Sequence, residues 1–277
     1  MKIREHCYDC LVGLARQVVS LSGGNGEVLQ NCRRIIDDLY ATDRSPPEVA
    51  NRFLRHIRET TGVTDPFAVM KAQEFERARL TAERFRTLFT FSLEGVIKFT
   101  ALGNSLDFFV DTGYEVNNFR FVADLAAIEE EVDRSNGNVL VLADNVGEFF
   151  FDLSLIRLLE DRGKRVYYAV KERPVQNDLS MPDVEQWNLR SLFGNIVSTG
   201  TDEVGMRREQ LQGLVRDLWE SDALVIAKGM GNYETISEFD GGRRLVHILK
   251  VKCESVAEAL GRKVGEHTAF IGGDYGS

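Results

Sequence analysis

The 277-residue chain is poor in the features that mark membrane, secreted and nucleic-acid-binding proteins. Its longest apolar runs, such as Asn138-Val139-Leu140-Val141-Leu142-Ala143, fall far short of the roughly 20 residues of a membrane helix. The opening residues Met1-Lys2-Ile3-Arg4-Glu5-His6-Cys7 lack the uninterrupted apolar core of a secretion signal, so a cytoplasmic protein is expected. Basic charge is the minority: 34 Lys and Arg face 43 Asp and Glu, a net charge of −9. With no segregated basic patch, that balance excludes nucleic acid and anionic membranes as expected partners. Five prolines and 24 glycines exclude a collagen-like or disordered chain. At 43% hydrophobic and 28% charged, the composition is that of a soluble globular protein of one or two domains.

Several motifs are missing too. There is no G-x-x-x-x-G-K-[ST] and no G-x-S-x-G, which removes P-loop nucleotidases and the common esterases. No Asp-x-Asp follows an expected strand. The G-x-G of Lys228-Gly229-Met230-Gly231-Asn232 lacks the third glycine and comes late in the chain, so a nicotinamide enzyme is disfavoured. Of the four cysteines, Cys7 and Cys10 form one C-x-x-C, with Cys32 and Cys253 apart. In a reducing compartment these are not a disulfide framework, and no second close pair makes structural zinc the obvious reading. The pair reads either as two half-buried cysteines at a helix start or as a metal site that borrows His6 or the distant Cys253.

The first hundred residues follow helical periodicity. Cys10, Leu11, Leu14, Val18 and Leu21 form one stripe, ended by Gly23-Gly24-Asn25-Gly26; Val28, Leu29, Cys32, Ile35, Ile36 and Leu39 form the next. Ser45 caps a third helix with Pro46 and Pro47 in or near its first turn, where a missing N–H costs little. Its stripe is Val49, Phe53, Leu54 and Ile57. Asp65-Pro66 opens a fourth helix running past Lys71 toward Phe75, and the pattern continues from Leu88 to Ala101. From residue 138 the grammar changes. The short, uniformly apolar run at 139–143 reads as a strand buried on both faces, and 165–170, 196–198, 223–227 and 245–249 read as further strands. Helices are expected at 150–159, 207–219 and 255–260. The expectation is an α/β protein: a three-layer α/β/α, Rossmann-like, largely parallel sheet over 101–277, preceded by a helical subdomain over 1–100.

In such a sheet, ligands bind beyond the carboxyl ends of the strands. Asp144 and Asn145 follow the first expected strand. Lys171 and then Asn177-Asp178 follow the second, and Lys228 to Glu234 follows the fourth. A lone Asp after a strand is ordinarily a helix cap. Several strand ends with the same chemistry point instead to a site. Asp144, Asn145 and Asp178 supply the oxygen donors that hard divalent cations prefer. Gly147 permits a tight turn into a helix N-terminus that can receive an anion. Lys171 and Lys228 can supply point charges to a phosphoryl group. Together these describe phosphoryl transfer.

Five motifs occur in order: Cys7-Tyr8-Asp9-Cys10, Gly103-Asn104-Ser105-Leu106-Asp107, Asp144-Asn145-Val146-Gly147-Glu148, Asn177-Asp178 and Lys228-Gly229-Met230-Gly231-Asn232-Tyr233-Glu234. This set resembles the damage-control phosphatases, the family once known only as domain of unknown function eighty-nine, and within it the prokaryotic branch with an N-terminal C-x-x-C. The resemblance covers the chain from Cys7 to Cys253. It implies hydrolysis of phosphate monoesters of small metabolites, sugar phosphates or damaged phosphometabolites, with a divalent ion (Mn2+, Mg2+, Co2+ or Ni2+) held by Asp144, Asn145 and Asp178. It also implies that Asn104, Asp107, Lys228, Asn232 and Glu234 line the cleft. Val146 stands where the motif often has alanine.

Asp144 and Asp178 are then catalytic as well as metal-binding, with Asp107 or Glu148 as general base and Lys171 and Lys228 near the phosphate. The nucleophile is either an activated water or an aspartate. The rival readings are a non-catalytic binder of a nucleotide or phosphometabolite and, more remotely, a carboxyl methyltransferase, which would want a glycine-rich loop after the first strand.

Overall fold

The computed structural model describes residues 1–41, 43–105, 119–135, 137–239 and 245–272. Asp107 lies outside them. Five helices come first: α1 (Cys7–Leu21), α2 (Gly26–Leu39), α3 (Pro46–Thr61), α4 (Ala68–Phe85) and α5 (Leu93–Gly103). Ser45 and Glu48 form a reciprocal capping box that starts α3, with the prolines in its first turn, as the sequence leads one to expect. The α/β part follows as β1 (Phe121–Ala123), α6 (Leu125–Arg134), β2 (Asn138–Leu142), α7 (Phe149–Asp161), β3 (Arg165–Val170), α8 (Met181–Gln186), β4 (Ile196–Ser198), α9 (Gly213–Glu220), β5 (Leu224–Lys228), α10 (Gly229–Ile236), β6 (Leu245–Lys250), α11 (Glu254–Leu260) and β7 (His267–Ile271).

The strands form one sheet in the order β1-β7-β6-β5-β2-β3-β4. The five strands expected from the sequence form a continuous parallel block ending at the β4 edge; β7 runs antiparallel to β6, and β1 pairs parallel with β7. Alternation along β2 explains the three layers. Val139 and Val141 face a core shared with α4 to α8, whereas Leu140 and Leu142 face one that includes residues of α9 and α10.

α1, α2 and α3 have a separate core of Val18, Cys32, Ile36, Phe53 and neighbours. α5, by contrast, buries Val96, Ile97 and Ala101 in the core of the sheet. A division at residue 100 therefore falls inside α5. The α1–α3 unit is tied down by Asn51, whose amide bonds both the N–H and the carbonyl of Val204, and by Arg55, whose guanidinium lies 2.6 Å from Glu203.

The expected helix over 207–219 is shorter. Residues 208–210 form a single 3-10 turn, Leu211 is extended, and α9 starts only at Gly213, where φ is +51°. Among the described residues no helix is long and apolar enough to cross a membrane.

Candidate active site

After β2 the chain moves to β3 and β4 on one side, while β5 and β6 lie on the other. The connections therefore diverge between β2 and β5, and a crevice opens beyond their carboxyl ends. Asp144 leaves β2 there, and Gly229 leaves β5. The Asp144 carboxylate lies so close against the Gly229 backbone that a Cβ on Gly229 would lie 1.9 Å from Asp144 Oδ2. Gly229 also has φ +75°, a region costly to other residues. Gly229→Ala is therefore expected to displace the Asp144 carboxylate, lowering turnover by about 10- to 100-fold and stability by about 1–2 kcal/mol. Paired kinetics and urea denaturation check this.

The third connection brings in Asp178. The 171–180 loop folds back on the Asp144 turn: Leu179 N–H donates to Asp144 O at 2.9 Å, Val146 N–H to Asn177 O at 3.0 Å, and Asn145 and Asp178 form an isolated antiparallel bridge. Gln176, just before Asn177-Asp178, sits at φ +45°, a strained conformation for a residue with a side chain. From behind, Glu74 of α4 accepts from Gly147 N–H and from the Asn177 amide, both at 3.2 Å, and so clamps the two loops together. Burial pushes the Glu74 carboxyl up to about 8.

Asp144, Asn145, Asn177, Asp178, Glu234 and Lys252 line a cleft of about 420 Å³. Its opposite wall comes from α1 and the start of α3, with Leu11, Leu14, Pro46 and Pro47. The remaining expected site residues among the described ones lie behind this surface. Asn104 donates to Asp144 Oδ2 at 3.0 Å and also to Glu148 Oε1, and its own oxygen accepts from Lys250 N–H. Asn145 Nδ2 reaches the same two carboxylates at 3.1 and 3.0 Å. Glu148 is fully buried, and its other oxygen meets Lys228 Nζ at 2.6 Å. Lys228, also fully buried, bonds Asp152 at 2.7 Å, and Tyr168 OH donates to the far oxygen of Asp152. Lys228 is thus consumed by carboxylates and does not reach the cleft. Lys171 is buried as well, donating to Gly205 O at 2.5 Å and lying 3.8 Å from Asp178 Oδ2. Asn232 bonds the carbonyls of Ala143 and Lys228, stapling α10 to the end of β2.

Lys252 on the cleft wall, Glu74 and Asp152 were not singled out by the sequence. Asp152 carried a signal: with Glu148 it forms an i, i+4 pair of acids at the start of an otherwise apolar helix.

The electrostatics follow from burial. Asp144 is raised well above the ordinary carboxyl range by burial and by the neighbouring charges of Glu148 and Asp178. Asp178 is raised by burial against the pull of Lys171 and Lys71. Burial would raise Glu148 too, but Lys228 and Asn104 outweigh it and hold the group below its usual value. Burial raises Glu234 to about 7. Four carboxyls, Asp144, Glu148, Asp152 and Asp178, thus meet three buried lysines, Lys71, Lys171 and Lys228. Oxygen donors with surplus negative charge fit a hard dication. Among the described residues no three His, Cys, Asp or Glu side chains form a ready metal cluster, and the donor set here is two carboxylates with an amide.

The chain is similar to known proteins over nearly its whole length. Residues 3–268 match the damage-control phosphatase ARMT1-like domain. The chain is 30% identical to damage-control phosphatase PH1575 of Pyrococcus horikoshii, over 94% of each protein. It is 28% identical to a damage-control phosphatase of Archaeoglobus fulgidus, over 98% of this chain and 99% of the relative. The crystal structure of the DUF89 family protein PH1575 superposes with a TM-score of 0.83 at 28% identity, covering 97% of this chain and 98% of the other. The chain belongs to the damage-control phosphatase family of ARMT1-like domains.

Proposed function

We propose that this protein is a metal-dependent phosphatase that hydrolyses phosphate monoesters of small metabolites, sugar phosphates or damaged phosphometabolites, with a divalent ion held by Asp144, Asn145 and Asp178. The observation that carries this reading is the backbone pairing of the Asp144-Asn145 turn with Asp178 at the foot of the cleft, in an environment with more buried acid than base. The names of the relatives support the phosphatase class.

When bound, such an ion supplies Lewis acidity and neutralises charge on the transferring phosphoryl group. The chain's own residues do the rest. The amides of Asn104 and Asn145 fix Asp144 through one oxygen, leaving Oδ1 outside that pair of bonds. Lys252 puts a cation on the wall, where it acts on Asp144 and Asp178. The Glu148–Lys228–Asp152 chain holds the floor rigid so that the donors are positioned before the ester arrives. The apolar wall from α1 and α3 receives the organic part of the ester and excludes water.

The test is a metal titration with p-nitrophenyl phosphate. Chelated protein is expected to be inactive, and Mn2+, Mg2+, Co2+ or Ni2+ to restore turnover saturably. Turnover unaffected by chelation would remove the metal from the reaction, and tight ester binding without turnover would make the protein a binder.

A further inference from the structure

The C-x-x-C pair has no part in the chemistry above, yet it lies in the same cleft. Cys7, Cys10 and Cys253 all line it, Cys7 and Cys10 from the first turn of α1 and Cys253 from the residue that precedes α11. They come together because the start of α1 packs on the start of α11: Cys7 Sγ is 3.4 Å from Ser255 Oγ, and Arg4 is paired with Glu258 at 2.8 Å. None of the three is in a disulfide. Cys7 is buried, Cys253 half-buried and Cys10 exposed. Cys253 lies within electrostatic reach of both partners and of Glu234, and burial raises its thiol to about 11.

We propose that Cys7, Cys10 and Cys253 form a second metal site, distinct from the Asp144 site, that takes a thiophilic dication of the zinc class. Two cysteines one helical turn apart have Cα atoms about 5 Å apart, which suits two thiolates about 2.3 Å from one ion. Two such ligands from α1 and a third from the Cys253 loop leave a fourth position toward the cleft, beside Glu234. Among the described residues no three ligands are already gathered at coordination distance. Closure therefore requires the exposed Cys10 side chain to turn inward about χ1. Each thiol surrenders its proton to solvent as its sulfur binds. The ion then cross-links the α1–α3 unit to the α/β unit at the mouth of the cleft.

The test uses the full chain, reduced and chelated, titrated anaerobically with Co2+. One equivalent is expected to give a thiolate-to-cobalt charge-transfer absorption that an oxygen site does not produce. That band is expected to be lost in Cys10→Ser and Cys253→Ser, and Zn2+ is expected to displace the cobalt. Cys10 is exposed, so Cys10→Ser keeps the fold, and circular dichroism verifies it. Asp144→Ala is expected to lose turnover but keep the band, which separates this site from the phosphatase reading. Absence of the band in reduced protein, its survival in both cysteine variants, or recovery of the pair only as a Cys7–Cys10 disulfide each overturns the proposal.

Discussion

Asp144→Ala is expected to lower phosphatase turnover by about 10³-fold or more, some 4 kcal/mol of barrier, with the fold intact. The expectation rests on where the carboxylate sits. It is at the carboxyl end of β2, locked to the Asp178 loop through its own carbonyl and held by two amides that also bind Glu148. Little stability is at risk. Burial and the charges of Glu148 and Asp178 raise the Asp144 carboxyl well above its usual range. A group whose folded value lies above its unfolded value contributes most below the unfolded value, and that contribution is lost as pH rises through the folded one. At neutral pH without metal, the Asp144 carboxylate therefore opposes folding, and the variant is expected to melt at or above the wild-type temperature. Metal reverses the order: an ion at 100 times its dissociation constant adds about 2.7 kcal/mol to the protein that binds it. Melting curves with and without Mn2+ should show a rise for the wild type and none for Asp144→Ala. A variant that keeps its turnover in saturating Mn2+ would remove Asp144 from the reaction.

The largest stability effect is expected at Lys228. This lysine, Glu148 and Asp152 are all fully buried, with Nζ 2.6 and 2.7 Å from the two carboxylates. Burial disfavours the ammonium, but Asp152 and Glu148 outweigh it and hold Lys228 protonated above its normal range. Lys228→Met fills the space yet leaves two acids facing each other in the interior. Removing one partner of such a pair costs about 3–5 kcal/mol, a large share of the roughly 5–15 kcal/mol of a typical domain.

The pH dependence gives the loss a signature. Asp152 is already pushed up to about 6 by burial, with Glu148 adding to it. Without Lys228, the neutral form of Asp152 is favoured further, and Glu148 loses the main influence that holds it below its usual value. Their folded values then lie above the unfolded ones, so stability is lost as pH rises. Urea midpoints for Lys228→Met are expected to fall further below wild type at pH 8 than at pH 5. Equal deficits at both pH values would show that the lysine's packing, rather than its charge, is what matters.

How much of this was legible in the sequence depends on which signal each element carries. β2 and β5 are buried on both faces, so nearly unbroken apolar runs betray them. β7 opens with His267-Thr268, and β1 has three residues, so neither stands out from a loop. α10 begins at the G-x-G of Gly229-Met230-Gly231, and local propensity does not show that Gly229 opens a helix. Asp144 and Asn145 stood out only because several strand ends carry the same polar chemistry; a lone acid after a strand reads as a helix cap. Asp178 is brought to them by a strained turn at Gln176, a residue type that gives no warning of positive φ.

The lysines show the limit most clearly. Lys228 follows a strand just as a phosphate ligand would. Only the tertiary structure shows that Glu148 and Asp152, eighty and seventy-six residues earlier, consume its charge. Cys7 and Cys253 were likewise remote in sequence, and their meeting is a product of how α1 packs on α11.

The proposed chemistry needs a single ion shared by Asp144 and Asp178. The most direct measurement is a crystal grown with Mn2+ and phosphate, read by anomalous scattering at the manganese edge. The expected result is one strong peak in the cleft, bonded at roughly 2.0–2.6 Å to oxygen atoms of both Asp144 and Asp178. Manganese bound elsewhere, or no peak at saturating Mn2+ with the two carboxylates touching only protein and solvent, would contradict it.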